Sequence, residues 1–285
     1  DARRGNPGMA QVLENLLHDD EGRCVVDTLV DVHGMSMTAG VPANADAYPN
    51  LGVSVLHALT SYAPRAAWQA TAQGMESMDV ATQAAQPEFD GALITKLLAT
   101  REVDEVDDLT GAVVPRMVPV PGRAQAMAEL ALSWARLART PAGQRKVAIV
   151  FHHHPPRNDR IGCASGLDTF ESVRQLLIRM ADEGYDVPEQ FETGDDIAQA
   201  LLSCLTCDQR WLTPEQMHER AEAHADLEIS RPWYRGLPDS VRECMDRNWG
   251  PHPGTLFVHD DEFSFAGHLD GNVLLTIQPP RGTFE

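Results

Sequence analysis

Lys146-Val-Ala-Ile-Val-Phe-His-His-His-Pro-Pro-Arg-Asn-Asp-Arg-Ile-Gly-Cys-Ala-Ser-Gly-Leu-Asp-Thr-Phe-Glu-Ser172 decides how the chain is read. Its apolar run, residues 147–151, predicts a strand buried on both faces, the habit of a parallel sheet. Three histidines, two prolines, an Arg-Asn-Asp-Arg patch and two glycines follow. Asp168-Thr-Phe-Glu171 then predicts a helix start, with Asp168 as N-cap and Glu171 reaching back in a capping box. A strand, a polar loop with glycines and a helix N-terminus form the place where open α/β sheets hold ligands. Function is therefore sought first in this loop.

Upstream, residues 25–32 and 53–59 are short β-branched apolar runs, and residues 88–94 predict a third strand. Residues 64–71 and 79–85 predict short helices. The acidic tract 101–108 and the proline-bearing stretch 115–121 read as an exposed connection. Residues 125–139 form an amphipathic helix, with Met127, Leu130, Ala131, Trp134, Leu137 and Ala138 on one stripe. Val173, Leu176, Leu177 and Met180 repeat helical spacing after Asp168, and Gly184 suits a C′ position. Residues 197–205 and 214–225 predict further helices, the second opened by a Thr213-Pro-Glu-Gln216 capping box. Residues 255–259, 262–266 and 272–278 predict strands. The expected fold class is α/β, with parallel-sheet Rossmann-like layers, helices on both faces and a strand-rich C-terminal part. Two lobes are expected, 1–122 and 123–285, with the boundary near residues 122–145.

The 285 residues are enough for one large or two ordinary domains, and 43% hydrophobic content supports a core. A formal charge of −19 argues against nucleic acid and anionic membrane as partners. No stretch reaches the ~18 apolar residues of a membrane span, and residues 1–8 lack the apolar core of a signal peptide. Five cysteines at irregular spacing suit a reducing compartment. A cytoplasmic protein is expected.

His152, His153 and His154 read either as a solvated strand end or as ligands. Side chains alternate on an extended chain, so at most two would share a site. Cys204-Leu-Thr-Cys207 has no second ligand pair at a suitable spacing, and His218 and His224 are too far apart for the usual half-site. The two cysteines therefore read as incidental. Gly162-Cys-Ala-Ser-Gly166 before a helix suits a carboxylate-bearing ligand, with Arg157 and Arg160 placed to pair with it. It lacks the Gly-Lys-Ser/Thr of a P-loop, so ATP binding by this chain is not expected. His33 and His57 read as packed or hydrogen-bonded residues. Glu88 and Asp90 read either as acid/base carboxylates or as part of a turn. Trp249-Gly-Pro-His-Pro-Gly254 reads as a rigid turn.

The Lys146–Ser172 run resembles the large subunits of cobaltochelatase and magnesium chelatase, which form one family. Its signature is an apolar strand, two prolines, a polar turn, Ile-Gly and a Leu-rich helix. Other matches keep the order: Gly52-Val-Ser-Val-Leu-His-Ala-Leu-Thr-Ser61, Trp68, Pro87-Glu-Phe-Asp-Gly91, Gly184-Tyr185, Asn248-Trp-Gly250, Pro253-Gly254, Gly271-Asn-Val273 and Gln278-Pro-Pro-Arg-Gly282. Pro-Pro-Arg-Asn-Asp-Arg and Gln-Pro-Pro-Arg-Gly resemble the cobalt branch. His153-His154 departs from the family's more usual Asn-Tyr, so no metal role is carried over to those two. The chain stops before a His-Phe-Gly-Thr-His-Gly segment and its following Glu, which implies an internal fragment of a subunit several times larger.

The resemblance implies ATP-dependent insertion of Co²⁺, as substrate, into hydrogenobyrinic acid a,c-diamide in aerobic cobalamin synthesis. It implies ATP hydrolysis by partners, an AAA+ ATPase subunit and its companion. On that reading His152 is a transient metal ligand or proton acceptor. Arg157, Arg160 and Arg281 face the acidic side chains of the macrocycle. Asn158, Gly162, Asn272 and Gln278 make polar contacts to it. The alternatives are a magnesium chelatase acting on protoporphyrin, a tetrapyrrole-binding module without turnover, and a zinc or metal-storage protein using the His triplet and C-x-x-C.

Overall fold

A computed structural model describes residues 9–35, 48, 51–208, 210 and 212–280. The chain divides into two compact units, Asp1–Thr140 and Pro141–Glu285. Among the described residues no helix is long and apolar enough to cross a membrane.

The first unit opens with helix α1 (Met9–Leu17) and strands β1 (Thr28–Asp31) and β2 (Ser54–Ser61). Helix α2 (Arg65–Ala70) follows. Then come α3 (Ser77–Val80), a π-helical turn Ala81–Ala85 and α4 (Gln86–Phe89). Strands β3 (Leu93–Val106) and β4 (Val113–Pro119) and helix α5 (Arg123–Arg139) complete it. The sheet order is β1-β2-β3-β4, with β1, β2 and β3 parallel and β4 antiparallel. Alternation along β2 serves two cores. Leu56 and Ala58 pack with Met127, Leu130 and Trp134 of α5, and Val55 packs with Tyr48, Leu51 and Ala92, flanked by Leu13 and Leu17 of α1.

Helix α5 lies wholly in the first unit, its apolar stripe packed on β2. Two expectations are corrected here. Residues 101–106 and 115–119 are not a loose connection but the arms of a hairpin, with Glu102 opposite Arg116. Of residues 88–94, expected as a strand, Glu88 and Phe89 end helix α4 and only residues 93–94 lie in β3.

The second unit runs β5 (Val147–Phe151), α6 (Thr169–Asp182), α7 (Gly194–Ser203), α8 (Pro214–Arg220) and β6 (Ala223–Asp226). Then come α9 (Ser230–Arg235), α10 (Asp239–Trp249), β7 (Val258–His259), β8 (Glu262–Phe265), β9 (Gly267–Asp270) and β10 (Val273–Ile277). One sheet has the order β5-β10-β9, the other β6-β8-β7. β5 pairs parallel with β10, Val147 opposite Val273 and Phe151 opposite Ile277. Phe151, Val173, Leu177, Ile197, Leu201 and Leu275 form its core.

The mixed α/β class with parallel pairing and a strand-rich C-terminal part is the expected one. Strand β5 is nevertheless not buried on both faces: Val150 is 59% exposed while Phe151 is 2% exposed. It is the edge strand of its sheet, so only alternate side chains reach the core.

Candidate functional site

The loop after β5 is tied to itself. Gly162 N donates to the His152 carbonyl at 2.8 Å, and Arg160 N to the Arg157 carbonyl at 2.8 Å. His153 is buried, with Nε2 2.8 Å from the Arg157 carbonyl. His152, Arg157, Asn158 and Arg160 are exposed around it. Arg157 Nε and Nη2 donate to the two oxygens of Asp159 at 2.9 Å each. Gly162 holds φ at +70°, and a Cβ there would stand 3.3 Å from Phe170 and 3.4 Å from Phe151. Asn272 Nδ2 donates to the Gly143 carbonyl at 3.0 Å, and Gln278 N to Phe151 O at 2.9 Å. Arg281 lies outside the described residues.

Asp159, residues 161–165 and residues 167–170 line an open hollow of 590 Å³. At the helix N-terminus beside it one backbone N–H is already taken. Asp168 Oδ1 accepts from Glu171 N at 3.0 Å, as the sequence predicts. Glu171 does not reach back: its oxygens take Arg174 at 2.7 and 2.8 Å and Gln175 at 2.8 Å. Those donors hold its carboxyl down at about 2. Asp168→Ala should cost the second unit about 1 kcal/mol in urea unfolding. No measurable change would mean that water caps α6 equally well.

A second constellation lies at the carboxyl end of β1, where parallel sheets place ligands. Asp31 is the last residue of β1 and stands opposite His57 of β2. Its Oδ1 is 2.5 Å from His33 Nδ1, and its Oδ2 is 2.6 Å from Tyr48 Oη and 3.1 Å from His57 Nδ1. Burial opposes the Asp31 charge, but hydrogen bonds from His33, His57 and Tyr48 outweigh it and hold the carboxyl well below the usual carboxylate range. Burial, then the Asp31 carboxylate, pushes the Tyr48 phenol up. His57 is fully buried. The Nε2 atoms of His33 and His57 are both buried without a hydrogen-bond partner among the described residues.

That pattern has a chemical consequence. A hydrogen on each Nδ1 donates to Asp31, so Nε2 is the atom left to take a metal ion or a proton. Nearby, Gln83 Oε1 accepts from Thr60 N at 3.3 Å and Thr60 Oγ1 at 3.0 Å, and Gln83 Nε2 has no partner. Gly34 lets the loop after β1 close on it, since a Cβ there would stand 2.8 Å from Gln83 Nε2.

His33 and His57 are hydrogen-bonded, as the sequence reading has it, but to one shared carboxylate. The Asp31-Val-His33 spacing was a usable signal, because residues two apart on an extended chain share a face. The role of His57 was not legible, since it depends on the β1–β2 register.

In the second unit His218 and His224 meet despite their spacing, at 4.4 Å between ring centroids, because α8 ends between them and β6 turns back. His259 lies 5.3 Å from His218. The C-x-x-C does not act as a pair. Cys207 Sγ faces the Gln278 carbonyl at 3.5 Å, and burial pushes its thiol up to about 12. Cys204 Sγ instead lies 3.2 Å from Glu222 Oε1 and 3.8 Å from His268 Nδ1.

Comparison with known proteins gives consistent results. The model of the CobN/Magnesium Chelatase family matches residues 2–285. An uncharacterized protein of Methanocaldococcus jannaschii is 31% identical over 286 residues, 99% of this chain and 23% of its own length. The aerobic cobaltochelatase subunit CobN of a Sinorhizobium species is 28% identical over 258 residues, 90% of this chain and 20% of its own. Among solved structures, the catalytic subunit of cobaltochelatase from Mycobacterium tuberculosis matches with a TM-score of 0.73 and 29% identity. That match covers 98% of this chain and 22% of that one. The chain thus spans 20–23% of the length of these relatives.

Proposed function

The chain belongs to the CobN/magnesium chelatase family, and from that premise we propose that it is part of the large subunit of a cobaltochelatase. The subunit inserts Co²⁺ into hydrogenobyrinic acid a,c-diamide, and its AAA+ partners hydrolyse the ATP. Insertion exchanges two pyrrolic N–H protons for one metal ion that must shed its water. The protein therefore has to supply transient metal ligands and proton acceptors.

The observation that carries this reading is the Asp31 arrangement: one part-buried carboxylate orients two imidazoles whose Nε2 atoms have no partner among the described residues. Each Nε2 can accept a leaving proton or offer one donor to a partly dehydrated metal ion. It also favours cobalt over magnesium. Imidazole suits first-row transition ions, whereas Mg²⁺ demands oxygen ligands and gives up water reluctantly. Asp31 acts as the positioning residue.

In the second unit, His152 at the end of β5 serves as a transient ligand or proton acceptor. Arg157 and Arg160 use the N–H groups not spent on Asp159, together with Arg281, to hold the acidic side chains of the corrin precursor. Asn158, Gly162 and Gln278 complete the polar contacts; Asn272 lies at the opposite end of β10, bonded to the Gly143 carbonyl, and does not reach this loop.

The test is a titration of the chain with hydrogenobyrinic acid a,c-diamide and with protoporphyrin IX, followed by quenching of its five tryptophans. Saturable binding of the corrin precursor is expected, weakened about tenfold or more by Arg157→Ala through loss of a charge-assisted contact. Preference for protoporphyrin would transfer the reading to magnesium chelatase. Binding of neither would remove the substrate surface from these residues.

A further inference from the structure

We propose that Cys204, Glu222 and His268 form a binding site for a divalent transition ion of the Zn²⁺ class, separate from the Asp31 arrangement. This site does not depend on the chelatase reading.

Three kinds of donor converge from three places in the second unit. Cys204 is the C-cap of α7, in extended conformation. Its neighbour Leu205 is stitched on both sides, Leu205 N to the Arg220 carbonyl and Gly267 N to the Leu205 carbonyl, each at 3.0 Å. Those bonds bring the end of α7, the segment entering β6 and the start of β9 together. Sγ lies 3.2 Å from Glu222 Oε1 and 3.8 Å from His268 Nδ1, and Nδ1 lies 2.9 Å from Glu222 Oε2. Zn–S and Zn–N/O bond lengths in a tetrahedral site give ligand–ligand edges of about 3.3–3.6 Å. The Cys204–His268 separation is already close to such an edge, and with a single Glu222 oxygen the three donor atoms all lie within 4.8 Å of one another, so small side-chain rotations bring them onto one ion.

The surroundings fit as well. Leu269 N donates to Glu222 Oε2 at 2.7 Å, which fixes the carboxylate. Glu189 Oε2 stands 3.1 Å from His268 Nε2. This is the side of the ring away from the thiol, where a carboxylate orients a metal-bound imidazole. His268 Nε2 nevertheless has no well-aligned hydrogen bond, and both Cys204 and His268 are buried. A thiol, an imidazole and a carboxylate select Zn²⁺ or Co²⁺ over Mg²⁺ and Ca²⁺. Three protein ligands leave one position open for water. On binding, the Sγ–metal bond forms and the thiol proton leaves to solvent. The C-x-x-C thus contributes one cysteine, whose partners lie 18 and 64 residues downstream.

Co²⁺ is the probe. The chain, stripped with chelator, should take up Co²⁺ with a thiolate-to-metal charge-transfer band in the near ultraviolet. One equivalent of Zn²⁺ should abolish that band. Cys204→Ser should lose it and Cys207→Ser should keep it. Glu222→Gln, a surface substitution that spares the fold, should weaken Co²⁺ binding at least tenfold. A band that survives Cys204→Ser, or no band in the unsubstituted chain, overturns the site. An ion held by the Asp31 imidazoles gives no thiolate band, so failure here leaves the proposed function standing.

Discussion

Asp31→Ala should cost the first unit about 2 kcal/mol or more, because the buried His57 and Tyr48 donors are left unsatisfied at about 1–3 kcal/mol each. The side chain gathers His33 Nδ1, His57 Nδ1 and Tyr48 Oη within 2.5–3.1 Å. His57 is fully buried and Tyr48 is 4% exposed, so water cannot replace the lost acceptor without opening the core. Asp31→Asn keeps the shape and one acceptor oxygen, and should cost less. The difference between the two isolates the charge from the hydrogen bonds. Urea unfolding followed by the tryptophans of this unit, Trp68 and Trp134, provides the measurement. A loss below about 1 kcal/mol for Asp31→Ala would show that the imidazoles find other partners, and the proposed metal clamp would lose its positioning residue.

The same network sets a pH dependence whose sign follows from the depressed Asp31 carboxyl. A carboxylate held below its unfolded value of about 3.9 contributes stability that is fully present above that pH. The contribution is lost as pH falls from there through the folded value. Acid titration of the parent should therefore show an extra loss of stability below about pH 4 that Asp31→Asn lacks.

Where periodicity and local chemistry sufficed, the chain was legible. Strand β5 runs from Val147 to Phe151 as read, and Asp168 and Thr213 cap their helices through Glu171 N and Gln216 N. The β3–β4 hairpin was missed because Arg101–Asp108 is charged on both faces of an exposed arm, so the apolar alternation that marks a half-buried strand is absent. Helices α9 and α10 went unread for a related reason, since α10 buries no residue fully and its run is rich in Asp, Glu and Arg.

The site residues divide in the same way. The loop after β5 stood out because its polar residues are consecutive. Asp31 with His57, and Cys204 with Glu222 and His268, are joined only by strand register and by the Leu205 stitching. A single sequence does not display such pairings, because nothing local distinguishes a histidine that will face a carboxylate from one that packs.

Gly267→Ala should be the most damaging single-methyl change in the second unit, at about 4 kcal/mol. Its φ is +139°, and an added Cβ would stand 2.2 Å from the Leu275 carbonyl oxygen and 2.8 Å from Thr276 Cα. Both obstacles are backbone of β10, paired with β9 at Gly267 opposite Thr276, so no rotamer change relieves them. The estimate adds backbone strain of ~1–3 kcal/mol to overpacking of ~1–3 kcal/mol. Because the next residue is His268, prising β9 from β10 should also remove the Co²⁺ charge-transfer band. Gly166→Ala is the control: its φ is +75° but nothing lies within 4 Å of the new Cβ. It should cost only about 1 kcal/mol, from strain alone. Equal costs at the two positions would place the whole effect in φ, and the close approach of β9 to β10 would no longer explain why His268 sits beside Cys204.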